Sequence, residues 1–258
     1  MRRRPPPSAN PSLPPPIAIR RALEEGWTGL RANPWPLVLF TLLVGGLNLL
    51  CQLVIRWSSE LLLDPFGQPD QGAMAIQLLA WLGYVVTNLW LLVGLLVGAD
   101  RNLRGERPAL SELLRSQPSA LLRAAGTLAL VLFVLAMIAR LAQASAWLLA
   151  LLQPALVGLP LLAGVAAVVY LITDQILTLP ISVLGPLNPL AAFRRGRRAI
   201  DPHWPQALGL TLVLGLLVLA GFLLLVVGLG ATLPLAACTL VAAYRQLFGH
   251  SIPERNPG

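Results

Sequence analysis

Two charged side chains stand inside otherwise apolar stretches, Arg140 in MIARLAQ and Asp174 in YLITDQI. A charge at the centre of a bilayer costs at least about 2.5 kcal/mol on insertion scales, so each calls for a partner. If the two stretches are antiparallel membrane helices, a rise of about 1.5 Å per residue sets Arg140 about 9 Å further outward than Asp174. Side chains tilt toward the N-terminus of their own helix, so the two converge. A buried Arg140–Asp174 pair is therefore expected. It reads first as a structural clasp, with a gating or substrate role as the rival. Polar residues at spacings of three and four make further stripes. These are Thr41, Gly45, Asn48, Gln52 and Arg56; then Gly83, Thr87, Gly94 and Gly98; then Ala163, Ala167, Tyr170, Asp174 and Thr178; and last Thr232, Ala236, Thr239 and Ala243. Asn48, Gln52, Thr87 and Tyr170 are the candidates for a polar interior. Small and hydroxylated faces are also ordinary packing glue between membrane helices.

Enzymatic chemistry finds little support. The histidines, His203 and His250, are far apart, and no cysteine or histidine spacing resembles a metal site. Without lysine there is no P-loop, and no G-x-S-x-G elbow is present. Asp201 and His203 in DPHWP can be cast as an acid–base pair, but a helix cap explains Asp201 better, and His203 beside Trp204 reads as an interfacial anchor. No catalytic residue, metal or cofactor is expected.

The elements that must carry these residues follow from composition. The chain has 258 residues, 56% hydrophobic and 12% charged, with a mean hydropathy of +0.73. Soluble domains carry about 25% charged residues, so lipid must be part of the solvent. The net charge of +8 comes from 19 arginines and 11 acids. Its placement argues against nucleic acid as a partner. Cys51 and Cys238 both lie in apolar runs, which indicates no disulfide framework.

A helix needs about 20 apolar residues to cross about 30 Å of hydrocarbon. Five stretches meet this, 35–57, 75–99, 124–144, 161–184 and 207–229, and a shorter sixth runs over 231–244 with Pro234 near its start. Basic residues stay on the cytoplasmic side. Seventeen arginines fall in the N-terminal segment, the 101–123 loop, the 194–198 cluster and the C-terminal tail. These share one side only with six crossings and both termini in the cytoplasm. Arg56, Glu60, Asp64 and Asp70 then mark the outer side. The apolar segment 145–152 reads as a short outer-interface helix with Trp147 at headgroup level, ended by Pro154.

The three inner entries look alike: ALEEGWTGLRANPW from Ala22, ALSELLRSQPSALLR from Ala109 and AFRRGRRAIDPHW from Ala192. Each is an amphipathic segment, then a proline, then a long apolar helix. Asn33 and Asp201 are expected as N-caps before Pro34 and Pro202, since proline suits the first helical turn. Gly26 and Gly196 share the fourth place after the alanine, which suggests three hairpins of one design. Over 17–31, Ile19, Leu23, Trp27 and Leu30 share one face and Arg20, Arg21, Glu24 and Arg31 the other, as in a helix lying on the cytoplasmic membrane surface. Together with Arg194, Arg195, Arg197 and Arg198 it offers a lipid or partner surface. Residues 1–16, with seven prolines, read as a disordered basic tail, residues 17–249 as the membrane domain, and 250–258 as a C-terminal tail.

The entry ALEEGWTGLRANPW, the loop RNLRGERPALSELLR, FRRGRRAIDPHW and the closing AAYRQLFG give the chain a resemblance. It resembles a broad group of poorly characterised six-helix bacterial integral membrane proteins, similar to the membrane domain attached to some glycerophosphodiester phosphodiesterases. The likeness runs from about Ile17 to Gly249, and no catalytic residue carries over. It implies a stand-alone membrane module in the bacterial inner membrane. The expectation is an all-α polytopic bundle of about six helices in three hairpins with short cytoplasmic amphipathic entries. It would act as a non-enzymatic accessory or scaffold touching membrane lipids and a membrane-protein partner. A small transporter or channel using Arg140, Asp174, Asn48 and Gln52 is the alternative.

Overall fold

The structure, a computed structural model, describes residues 17–61, 70–115, 117–185 and 187–249. The two expected tails, His250 and Asp64 lie outside the described residues. Ten α-helices make up the described chain: α1 (Ile19–Ala32), α2 (Pro34–Glu60), α3 (Gln71–Leu103), α4 (Leu110–Leu114), α5 (Pro118–Leu152), α6 (Gly158–Asp174), α7 (Thr178–Leu184), α8 (Pro189–Ile200), α9 (Trp204–Leu223) and α10 (Leu225–Phe248). Single 3₁₀ turns occupy Pro154–Leu156 and Asp201–His203. Among the described residues, five helical stretches are long and apolar enough to cross a membrane: Pro34–Glu60, Gln71–Leu103, Pro118–Leu152, Pro154–Leu184 and Pro189–Leu223.

Proline opens α2, α5 and α8 at Pro34, Pro118 and Pro189, where its missing N–H would be unpaired in any case. Asp70 caps α3, its Oδ1 accepting from the Gly72 and Ala73 amides at 2.8 and 3.3 Å. Asn33 holds the N-cap position of α2 without a capping bond. Its Nδ2 donates to Pro108 O at 3.3 Å and its own carbonyl accepts from Asn102 Nδ2 at 3.2 Å, which ties the α1–α2 corner to the end of α3.

Three expectations are corrected. Residues 145–152 form no separate interface helix: α5 runs unbroken to Leu152, because nothing between Ala144 and Leu152 interrupts the ladder and Ser145 bonds back to Leu141 O at 2.8 Å. Trp147 is exposed on that extension. The stretch 161–184 is two helices, not one. A continuous helix would need an N–H from Pro180 for the Ile176 carbonyl, and proline has none; the chain turns at 175–177 and restarts as α7, with Pro180 in its first turn. Asp201 caps nothing, since its backbone is already helical (φ −46°, ψ −45°) where an N-cap is extended.

Packing is concentrated at one end of the bundle. Leu37, Phe40 and Val44 of α2 meet Val93, Leu96 and Ala99 of α3, Leu113 of α4 and Val241 of α10. Beside them Leu177, Ile181, Ala192, Ile200, Leu210 and Leu247 form a second cluster among α7 to α10. At the other end Leu50, Leu53, Trp57, Leu219 and Leu223 face outward. The amphipathic helices dock on the packed end: α1 on α10, α4 on α2 and α3, and α8 on α7.

Candidate functional site

The helix α8 divides sharply. Ala192, Gly196 and Ile200, four apart, are buried, while Arg194, Arg195, Arg197 and Arg198 are all exposed. Gly196 sets the depth of docking: a Cβ there would lie 2.5 Å from Thr178 Oγ1 of α7. One carboxylate touches this arginine face, Asp201, whose Oδ2 is 3.7 Å from Arg197 Nε. Arg195 stacks over the Phe248 ring, 5.1 Å from its centroid, and so anchors α8 to the end of α10.

The helix α1 repeats the device with different electrostatics. Ala22, Gly26, Gly29 and Leu30 are buried. A Cβ on Gly26 would lie 2.7 and 2.8 Å from the backbone N and Cα of Thr239, so α1 packs backbone to backbone on α10. Of the expected apolar face, Leu30 alone is buried; Ile19 and Leu23 are half-buried and Trp27 is 50% exposed. Small residues next to that face, and not the large ones on it, make the dock. Arg20 pairs with Glu24 at 2.8 Å and Arg21 with Glu25 at 2.7 Å. Their charge is largely compensated within α1, and the uncompensated arginine surface belongs to α8.

A polar knot sits where α6 gives way to α7. Asp174 is 1% exposed; its Oδ2 accepts from Gln175 Nε2 at 2.7 Å, and Thr178 Oγ1 donates to Gln175 Oε1 at 2.6 Å. Arg123 of α5 donates from Nε to the Ser182 carbonyl at 3.0 Å and ties α7 to α5. Among the described residues, Asp174 Oδ1 and the Thr173 hydroxyl have no hydrogen-bond partner. The threonines within other helices, such as Thr41, Thr127 and Thr239, return their hydroxyls to the carbonyl four residues back, which Thr173 does not.

The expected Arg140–Asp174 pair does not form. Gly164 lies against Ala142, a register that leaves Asp174 about 12 Å along the helix axis from Arg140, and Arg140 is exposed. That offset exceeds the 9 Å expected, and Arg140 points out of the bundle. Tyr170 is likewise not interior: it is 40% exposed, donates to Asp201 Oδ1 at 3.0 Å and stacks on Trp204 at 5.8 Å. Asn48 and Thr87 do meet inside. Asn48 Nδ2 donates to Thr87 Oγ1 at 3.0 Å, and exposed Gln52 donates to Asn48 Oδ1 at 2.8 Å. Gly94 and Gly98 receive Phe40 and Leu37, so that stripe faces inward.

Sequence reasoning passed over Arg123, Gln175, Asn102, Arg245 and Gln246. The last three lie at the ends of α3 and α10, and a signal for them exists. VGADRNLRG (97–105) and VAAYRQLFG (241–249) share V-[GA]-A-x-R-[NQ]-L-x-G. Asn102 and Gln246 are the matched amides, and both line one cleft with α1. Among the described residues no group of three or more His, Cys, Asp or Glu side chains could hold a metal ion. No protein-family model matches the chain, and no curated protein or solved structure matches it.

Proposed function

We propose that the chain is a non-enzymatic integral membrane protein of six crossings, arranged as three hairpins with both termini in the cytoplasm of a bacterium. Its role is that of an accessory or scaffolding module, which gathers anionic lipids and a membrane-protein partner at the α8 arginine face. In this arrangement α10 is the sixth crossing, packed along α9. The kinship with the membrane domain attached to glycerophosphodiester phosphodiesterases is proposed on the entry and loop motifs alone.

The observation that carries the reading is the division of α8. Its small buried stripe fixes it to α7 and Arg195 rests on Phe248, while Arg194, Arg197 and Arg198 are exposed, with Asp201 the carboxylate beside Arg197 among the described residues. Arginines near an anionic leaflet contribute about 1 kcal/mol each. The test is direct extraction of the full chain from mixed bilayers into nanodiscs, followed by lipid analysis. Anionic lipids are expected to be enriched around the wild type and to fall to bulk proportion when Arg194, Arg195, Arg197 and Arg198 are changed to Gln. Unchanged enrichment refutes the reading.

A transport path is the second reading, favoured by one observation: the turn at 175–177 with Asp174 and Thr173 buried beside it. Non-helical backbone at membrane depth is tolerated where it is enclosed by protein or lines a water-filled cavity, and discontinuous helices of this kind build ion sites in transporters. Proteoliposome flux that is abolished by Asp174→Asn while the α8 variant retains it would place the function here.

A further inference from the structure

Residues 124–173 carry one charged side chain, Arg140. It stands in α5, twelve residues before Leu152, so about 18 Å short of the far end of the helix. Arg123, the nearest charge on the other side, is seventeen residues away, or about 25 Å. Arg140 is exposed and forms no ion pair among the described residues. A charge facing hydrocarbon is costly, and arginines within membrane spans are found paired. We propose that this face of α5 receives a transmembrane helix of another protein, one that carries a carboxylate at the depth of Arg140. The inference deepens the scaffolding reading above. It rests on that reading for a membrane-protein partner and adds the partner's chemistry inside the bilayer.

The face is free of the hairpin's own packing. Ala142 marks the side of α5 that meets α6, against Gly164. At about 100° per residue, Arg140 lies about 200° from Ala142, on the far side of the helix. Ala136 and Ala144, one turn before and one turn after, share that side, with Gln143 at its edge and Trp147 beyond. All are exposed. Small residues let a second helix come close. The surface here differs from the leucine-rich faces of α2 and α9, where Leu50, Leu53, Leu219 and Leu223 meet lipid with bulk.

Two polar groups select the occupant. Gln143, like Arg140, makes no hydrogen bond among the described residues. Side chains tilt toward the N-terminus of their helix, so Gln143 leans back toward Arg140. The guanidinium fork and the amide both donate, and one carboxylate accepts from both while cancelling the charge. A lipid phosphate is the rival counter-ion, since arginine stems snorkel toward headgroups. Snorkelling draws the guanidinium away from Gln143 and leaves that amide alone in hydrocarbon, which favours the carboxylate. A second copy of the chain does not supply one. Among the described acids Asp174 alone lies within an apolar run, and it is buried.

The test uses the full chain in phosphatidylcholine liposomes with a synthetic helix of about 20 apolar residues. The peptide carries a central glutamate with a photoreactive diazirine beside it, and a control peptide carries glutamine instead. Crosslinks from the glutamate peptide are expected on α5 between Ala136 and Trp147. They should fall about tenfold or more with the glutamine peptide, which loses a charge-assisted bond. Arg140→Gln should cause the same loss, and Arg140→Lys, which keeps the charge, should retain most of the capture. Ala136→Leu, which adds bulk beside an intact arginine, should weaken capture too. Arg56→Gln, at an exposed arginine near the end of α2, should leave it unchanged. Equal capture of the two peptides overturns the proposal and assigns Arg140 to lipid phosphate. So does indifference to Arg140→Gln, or crosslinks that map to other helices. Pairing of labelled copies that is lost in Arg140→Gln, without glutamate-dependent capture, overturns it in favour of a second copy. Lipid enrichment at α8 should not respond to Arg140→Gln, so either reading can fail without the other.

Discussion

Replacing Asp174 with asparagine separates two accounts of the α6–α7 break by the sign of one measurement. In the clasp expected from the sequence, Asp174 neutralises Arg140, and removing one partner of a buried pair costs about 3–5 kcal/mol. In the structure the carboxylate is 1% exposed with no cation within ion-pair distance among the described residues, and its one hydrogen bond comes from Gln175 at 2.7 Å. Asparagine has the same shape and keeps an oxygen for Gln175. It gives up about 1 kcal/mol, the difference between a charged and a neutral hydrogen bond, and removes an unpaired buried charge whose burial costs several kcal/mol. The net expectation for Asp174→Asn is a gain of about 1–3 kcal/mol. At about 2 °C per kcal/mol for a chain of this size, that raises Tm by about 2–6 °C. The assay is thermal unfolding in detergent, followed by a thiol-reactive dye that reports on Cys238 as its buried site opens. Arg140→Gln, at an exposed position, should move Tm by less than about 1 °C. A fall of more than about 6 °C in Asp174→Asn, matched by a similar fall in Arg140→Gln, would refute the reasoning and restore the pair.

Two further outcomes test the docking of the amphipathic helices. Gly26→Leu drives a side chain into the Thr239 backbone, which cannot step aside; a loss of about 1–3 kcal/mol is expected, with faster proteolysis inside α1 in the intact protein. Gly196→Ala meets chiefly the Thr178 hydroxyl, at 2.5 Å, so Thr178→Ala should relieve part of its penalty. A double-mutant cycle should show a coupling of about 0.5–3 kcal/mol, and additive effects would mean that the two residues do not set the α8 dock.

Much of the fold was legible because its signals are local. Apolar length and the prolines at 34 and 118 mark where helices begin, and arginine clusters mark the amphipathic segments, whereas Pro202, expected to open a helix, lies in the 3₁₀ turn before α9. What failed depended on geometry that no local pattern carries. Pro180 is a readable sign that 161–184 is not one helix, and the sequence reading passed over it in favour of the apolar run. The Arg140–Asp174 pair was inferred from axial position alone, whereas pairing also requires both residues to face the same seam. That facing is set by how Gly164 packs on Ala142. The large residues of α1 mark one side of the helix, yet its docking face is written in Ala22, Gly26 and Gly29, which hydrophobicity scales barely register. The same holds for the cleft: Asn102 and Gln246 are ordinary amides until the two nine-residue helix ends are laid side by side.

The three docks obey one rule, and that rule explains where the cleft falls. Each amphipathic helix rests on the end of a long helical stretch: α4 on α2 and α3, α8 on α7, and α1 on α10. At each dock one small residue admits the partner. Gly26 receives Thr239 and Gly196 receives Thr178, while at α4 the roles exchange, with Leu113 entering over Gly98. Since α1 and α10 lie at opposite ends of the described chain, their dock ties those ends together, with α10 packed also on α2, α3 and α9. The joint is tight where Gly26 meets the Thr239 backbone. Where the helix ends run past the contact, Asn102 and Gln246 line a cleft with α1, and Gln246 Oε1 accepts from the Ala18 amide at 3.2 Å. The cleft is thus the unfilled remainder of that seam, and its two amide residues sit at matched positions of the two helix ends. A change at Gly26 that lifts α1 from α10 must widen this cleft, and it should leave the lipid enrichment measured for the α8 arginine face intact.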